Sequence, residues 1–216
     1  MSSFRTRYQT IEFGETDIHV RTLLDNQQFS DDDGRAAKLN ISSAMWPLFG
    51  VIWPSGEILA QLMFHQKTEG LRILEVGCGI GLASLMLNHR AADITATDYH
   101  PEAEDFMLQN TRLNRDRVIP FVRTGWGDAA STLGRFDLVI GSDLLYESGH
   151  AELLSGFIDR HTEVHGNVLL VDPGRGHHAR FSKKMVALGF AHSQNGTECL
   201  DSRSRSIRGQ VLRYHR

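Results

Sequence analysis

The chain has 216 residues, 41% of them apolar and 23% charged, with a net charge of −3. It is long enough to bury a core without staples, is not disordered, and has no bulk attraction for nucleic acid or an anionic membrane. Two cysteines, Cys78 and Cys199, exclude a disulfide scaffold, a CxxC redox pair and a thiolate-rich metal site, and point to a reducing, cytoplasmic setting. The opening MSSFRTRYQT lacks the apolar centre of a secretory leader, and no run approaches the roughly 18 apolar residues of a membrane span.

The first 24 residues predict a hairpin, with Tyr8, Ile11 and Phe13 before a polar turn and Ile18, Val20 and Leu23 after it. Residues 25–37 are polar and acidic; Asp31, Asp32 and Asp33 are expected to form a solvated turn rather than a cation site, since hard cations need spaced oxygen ligands. In AMWPLFGVIWPSG, Pro47 and Pro54 prevent one long helix, and a helix is expected over 57–66. From residue 71 strands and helices alternate. Strands are expected at 71–77, 92–98, 118–122, 135–143 and 166–172, and helices at 80–90, 101–114, 150–161 and 177–188. Pro120 marks the third of these strands as an edge. Two extended runs after Phe190 suggest that an antiparallel strand joins a mainly parallel sheet covered on both faces. The organisation expected is an N-terminal hairpin and acidic loop over 1–39, then one α/β domain over 40–216 that begins with a covering segment at 40–66.

The sharpest local feature is Glu75-Val76-Gly77-Cys78-Gly79-Ile80-Gly81, between a strand and a helix. Glycines there allow a tight turn and a close approach of backbone to a ligand. Leu82 stands where the dinucleotide fingerprint needs its third glycine, and the lysine of a phosphate-binding loop is missing. Asp98 ends the next strand, 23 residues after Glu75, and its carboxylate suits a ribose diol.

This run resembles motif I of the class I methyltransferases, which use S-adenosylmethionine and release S-adenosylhomocysteine. The resemblance implies a Rossmann-like seven-stranded sheet. It implies that Gly77, Cys78, Gly79 and Gly81 make room for the methionine part of the cofactor, that Glu75 helps to hold it, and that Asp98, with Tyr99 beside it, takes the ribose. Two further segments narrow the likeness. GVIWPSGEILA at 50–60 and GSDLLYE at 141–147 are similar to the G-x-x-x-W-x-[SA]-x-x-L and D-x-x-Y segments of the family 16 protein methyltransferases that modify lysine. The likeness covers about residues 46–174 and implies that Trp53 lies against the cofactor pocket. It puts Asp143 and Tyr146 in catalytic positions and Ser142 in the cofactor set. Trp126 matches the Trp of the family's Trp-Gly and would be an adenine wall or a core residue. The acid that precedes that Trp in the family is here Gly125; Asp128 either replaces its contact or is a surface acid. The Asp-Pro-Gly-Arg run at 172–175 resembles members that act on electron-transfer flavoprotein.

The reaction expected is transfer of a methyl group to a nitrogen, most simply a lysine of a protein. Other readings are a small-molecule amine, a nucleic acid, or a non-enzymatic module that binds a partner through the hairpin. Asp143 would orient the acceptor nitrogen or bind the cofactor's amino group, unless it caps a helix. Tyr146 would approach it if a helical turn began there. Trp46 and Phe49 would narrow the access channel or belong to the core, and His100 is expected at a solvated helix start rather than near the ribose. Cys78 is expected to be a small wall residue and no nucleophile. The eleven histidines have no metal-ligand spacing, so no metal is expected. Five arginines between Leu200 and Arg216 are expected on a solvated strand edge. A monomer is expected.

Overall fold

The computed structural model describes residues 5–25, 34–39, 41, 46–128, 133–200 and 206–216. The acidic run at 31–33 and the turn at 201–204 lie outside them. The strands are β1 (Thr6–Phe13), β2 (Thr16–Leu23), β3 (Arg72–Val76), β4 (Asp93–Asp98), β5 (Phe121–Arg123), β6 (Phe136–Ser142), β7 (Thr162–Asp172), β8 (Ala191–Leu200) and β9 (Ser206–His215). The helices are α1 (Arg35–Lys38), α2 (Pro54–His65), α3 (Leu82–His89), α4 (Ala103–Leu113), α5 (His150–His161) and α6 (His178–Ala187). Among the described residues, seven strands form one sheet in the order β5-β4-β3-β6-β7-β9-β8. β9 runs antiparallel between β7 and β8, and β3, β4, β5, β6 and β7 pair in parallel. The mainly parallel sheet with an antiparallel insertion is the one expected.

Alternation along the strands divides the core in two. Ile73 of β3 and Ile140 of β6 face a cluster built with α2, α3 and α4, whereas Leu74, Val76 and Val139 face one built with α5 and α6. Both faces of the sheet are therefore dry, which is why these strands read as nearly continuous apolar runs. Helix α3 is buried from Leu82 to Asn88, since α2 lies beside it.

The hairpin packs into the first cluster through Ile11, Phe13, Ile18, Val20 and Leu23. Two asparagines one turn apart on α4 satisfy the backbone of β2. Asn110 accepts from the Arg21 N–H at 2.7 Å, and Asn114 accepts from that of His19 at 2.8 Å and donates to its carbonyl at 2.7 Å. An unpaired strand edge is thereby closed by helix side chains. The Leu23 N–H also bonds Gly50 O at 2.7 Å, which ties the hairpin to the segment before α2.

Element bounds differ from expectation where proline acts. Helix α2 begins at Pro54 itself, since a first-turn position needs no N–H and suits the fixed φ of proline. β5 starts after Pro120 and is the sheet edge, as expected. No helical turn starts at Asp143: the chain stays irregular until α5, whose N-cap is Gly149. Among the described residues no helix is long and apolar enough to cross a membrane.

Candidate active site

The carboxyl ends of β3, β4 and β6, the usual ligand crevice of an open α/β sheet, border a cavity of about 670 Å³. Its floor is the turn after β3. Gly77, Gly79 and Gly81 have φ of +61°, +57° and +78°, a region other residues enter at a cost. A Cβ on Gly77 would sit 2.5 Å from Leu144 Cδ2, so a side chain there would collide with the opposite wall. A Cβ on Gly79 would meet nothing within 4 Å, which leaves its backbone open to the cavity. Gly81 does not border the cavity: its missing Cβ leaves room for Met107 of α4, so its role is packing.

Glu75 is buried at the end of β3 and borders the cavity. One of its oxygens accepts the Ser84 N–H at 2.9 Å and the Ser84 hydroxyl. Burial nonetheless pushes its pKa up to about 7, with the charge of Asp98 adding to the rise and the Ser84 bonds opposing it. Asp98 ends β4 and accepts the Gly79 N–H at 2.8 Å on one oxygen and the His100 N–H at 2.8 Å on the other. Burial raises its pKa also, and these N–H groups hold it down in part. The Tyr99 N–H contributes as well; an ionised carboxylate can accept about four hydrogen bonds, so Asp98 keeps capacity for a ligand hydroxyl. Burial pushes the Cys78 thiol far up, so it stays protonated and serves as a small wall residue.

The Tyr99 ring flanks Gly125, and its hydroxyl donates to Leu39 O at 2.6 Å. Trp126 borders the cavity beyond it. Asp128 accepts the Gly125 N–H at 2.7 Å, and the same oxygen lies 3.5 Å from where a Cβ on residue 125 would stand. Its carboxylate therefore lies beside the place an acid at 125 would start from. Trp53 closes the opposite side and donates from its indole to Leu48 O at 2.8 Å. Ser142 lies next to the first turn of α2, 3.7 Å from where a Cβ on Gly56 would be.

At the end of β6, Asp143 has φ +53°, and its N–H is fixed to Val171 O at 2.9 Å. Its carboxylate is paired with Arg175 in a fork, Nε to Oδ1 at 2.6 Å and Nη2 to Oδ2 at 2.9 Å. Tyr146 also borders the cavity, and burial raises its pKa so that its hydroxyl stays protonated.

Three residues at this cavity lay outside the expected set. Arg175, from the Asp-Pro-Gly-Arg run, reaches Asp143 from the loop after β7. His150 opens α5 edge-on to both Trp126 and Tyr146, with ring centres at 5.0 and 4.4 Å. His100 is buried rather than solvated, because Phe49 stacks on it at 4.1 Å. Phe49 borders the cavity, whereas Trp46 is a buried neighbour of His100 that does not. Among the described residues no group of three or more His, Cys, Asp or Glu side chains is placed to hold a metal. The C-terminal arginines do not share the solvated edge expected: β9 lies between β7 and β8, and although Arg208 pairs in solvent with Glu198, Arg216 is part-buried, pairs with Asp159 and lies over the Phe190 ring; Arg203 and Arg205 lie outside the described residues.

Residues 38–185 match the model of the lysine methyltransferase family. The chain belongs to that family. It is 30% identical to the electron transfer flavoprotein beta subunit lysine methyltransferase of Xenopus laevis over 148 residues, 65% of this chain and 56% of that protein. It is 28% identical to protein N-lysine methyltransferase METTL21A of Danio rerio over 112 residues, 47% of this chain and 51% of that protein. The chain thus matches about half the length of these curated relatives. In fold it resembles the Thermus thermophilus 16S rRNA N2 G1207 methyltransferase solved with AdoMet and guanosine, with a TM-score of 0.66 at 13% identity. That likeness covers 98% of this chain and 51% of the other. The fold is that of the methyltransferases that use S-adenosylmethionine.

Proposed function

We propose that this chain transfers a methyl group from S-adenosylmethionine to a lysine side chain of a protein. The observation that carries this reading is the charge of the cavity. Glu75, Asp98, Asp128, Asp143 and Glu147 all border it, and Arg175 is the one Lys or Arg among its described lining residues. Such walls suit a cationic cofactor and an amine, and repel the phosphates of a nucleic acid. The cavity volume is in the range of small-molecule sites, and the open backbone at Gly79 leaves room for a ligand against the floor.

When bound, the cofactor supplies an electrophilic methyl group on a sulfonium. Glu75, held by Ser84, faces the methionine part. Asp98 takes the ribose hydroxyls on its remaining lone pairs, and Trp126 offers a face for adenine, with Asp128 beside it. Asp143 orients the acceptor nitrogen and offsets the positive charge that develops there. Tyr146 shapes the same pocket with a protonated hydroxyl. The amine's proton leaves to water, so no strong base is required. The first acceptor to try is the electron transfer flavoprotein beta subunit, the substrate named for the Xenopus relative. We place the activity in the cytoplasm and in a monomer. The scarcity of cysteine supports the first. The scatter of exposed Tyr8, Val118, Val164 and Val186 over separate elements supports the second.

Calorimetry and labelling test this reading. One S-adenosylmethionine should bind per chain, with no tight binding of a nicotinamide cofactor. With a methyl-labelled cofactor and a protein extract, hydrolysis should return the label as methyllysine. Label confined to small molecules, or recovered as methylhistidine, would overturn the lysine assignment.

A further inference from the structure

We propose that Arg175 is the resident cation of the acceptor pocket: it occupies Asp143 in the resting protein and must leave when the target amine enters. The proposal rests on the lysine-acceptor reading above. Both oxygens of Asp143 are engaged by the guanidinium, at 2.6 and 2.9 Å, so an amine approaching that carboxylate meets Arg175 first. The two partners are unequally placed. The Asp143 side chain is 9% exposed and its backbone is pinned by Val171 O, whereas the Arg175 side chain is 41% exposed. Arg175 can return to water at little cost, and Asp143 cannot follow it.

The loop that carries Arg175 is built to permit this. Gly174 and Gly176 flank it with φ of +93° and +90°, and a Cβ on either would meet nothing within 4 Å. The loop is anchored at its start, where the Gly174 N–H bonds Asp172 Oδ1 at 2.8 Å. A nearly buried carboxylate left without a cation is costly, so the fork stays closed until another cation replaces it. Asp143 itself is a non-glycine residue with positive φ, a backbone cost that persists where surrounding structure fixes a functional side chain. The consequence is selection: the pocket yields to an acceptor that can itself pair with a carboxylate, and stays closed to neutral molecules. Arg175 is a positioning residue in this scheme, since it acts through Asp143.

The test uses the chain loaded with S-adenosylhomocysteine and n-butylammonium as a lysine side-chain probe, followed by NMR titration. Arg175→Ala should bind the probe at least tenfold more tightly than the unmodified protein, and added guanidinium ion should compete by refilling the fork. Arg175→Lys should fall between the two. In Arg175→Ala with Asp143→Asn the gain should vanish. Cofactor affinity of Arg175→Ala should hold, whereas its unfolding midpoint should fall and recover with added guanidinium ion, since Asp143 is left nearly buried without a cation. With an acceptor protein, KM should fall with little change in kcat. Equal or weaker probe binding by Arg175→Ala would overturn the gate and leave the lysine reading intact. No probe binding by any form would overturn both.

Discussion

The two halves of the cavity are held in different ways. The cofactor half is made by backbone. Its carboxylates are fixed by N–H groups close in sequence: Glu75 by Ser84, and Asp98 by Gly79 and His100. The acceptor half is made by side chains distant in sequence, with Asp143 at the end of β6 held by Arg175 from the loop after the neighbouring β7. On the proposed function, a ligand common to a whole class would meet a rigid cradle, and the variable ligand a side-chain pair. Preorganised backbone needs no rearrangement when a ligand binds, while a side-chain pair can exchange partners.

The largest effect that separates the halves is expected from Asp143→Asn. The shape is kept and the charge removed, so labelled-methyl transfer to the acceptor protein should slow ten- to a thousandfold, about 1.4–4 kcal/mol. Next is the pH dependence of the cofactor half. Without ligand the folded Glu75 carboxyl titrates near 7, against 4.5 for the ordinary group. As pH rises from about 4.5 to about 7 the unfolded chain ionises this group before the folded one does. Stability present at the acid end is therefore lost as pH rises, by up to roughly 3 kcal/mol. Chemical denaturation at pH 5 and pH 7.5 should show this slope, and Glu75→Gln should flatten it. Titration of the wild-type protein with cofactor should release protons near pH 6, because a cationic ligand favours the ionised carboxylate.

The floor of that half was legible in the sequence. Glu75, the glycine turn and Asp98 lie within 24 residues, and strand, turn and helix follow one another as local patterns. The mainly parallel sheet and its antiparallel strand were legible for a similar reason, since alternation and turn signals are local. The acceptor half was not. Asp143 and Tyr146 could be placed at a strand end, but the helical turn expected between them does not form, and the partner of Asp143 lies 32 residues away. The Asp-Pro-Gly-Arg run was visible, but its contact depends on the parallel pairing of β6 with β7. His100 was misjudged because burial by Phe49 comes from a covering segment with no regular period. The packing of Gly81 against Met107 was not legible, because Met107 belongs to another helix.

A smaller effect bears on the cofactor half alone. Asp98→Ala should weaken S-adenosylmethionine binding by about 1–3 kcal/mol, as charge-assisted ribose bonds are lost. The smallest is expected outside both halves. Arg208→Ala breaks a pair with Glu198 whose members are both exposed, so the thermal unfolding midpoint should not move measurably. Methyl transfer by that variant should equal that of the unmodified chain.

Titration of S-adenosylmethionine into Asp143→Asn, beside Asp98→Ala, tests the division between the halves most directly. The account predicts that Asp143→Asn binds within about twofold of the unmodified protein. Asp98→Ala should bind roughly 5- to 150-fold more weakly. Parallel losses in the two variants would contradict it, for Asp143 would then hold the cofactor and the acceptor half would have no carboxylate of its own.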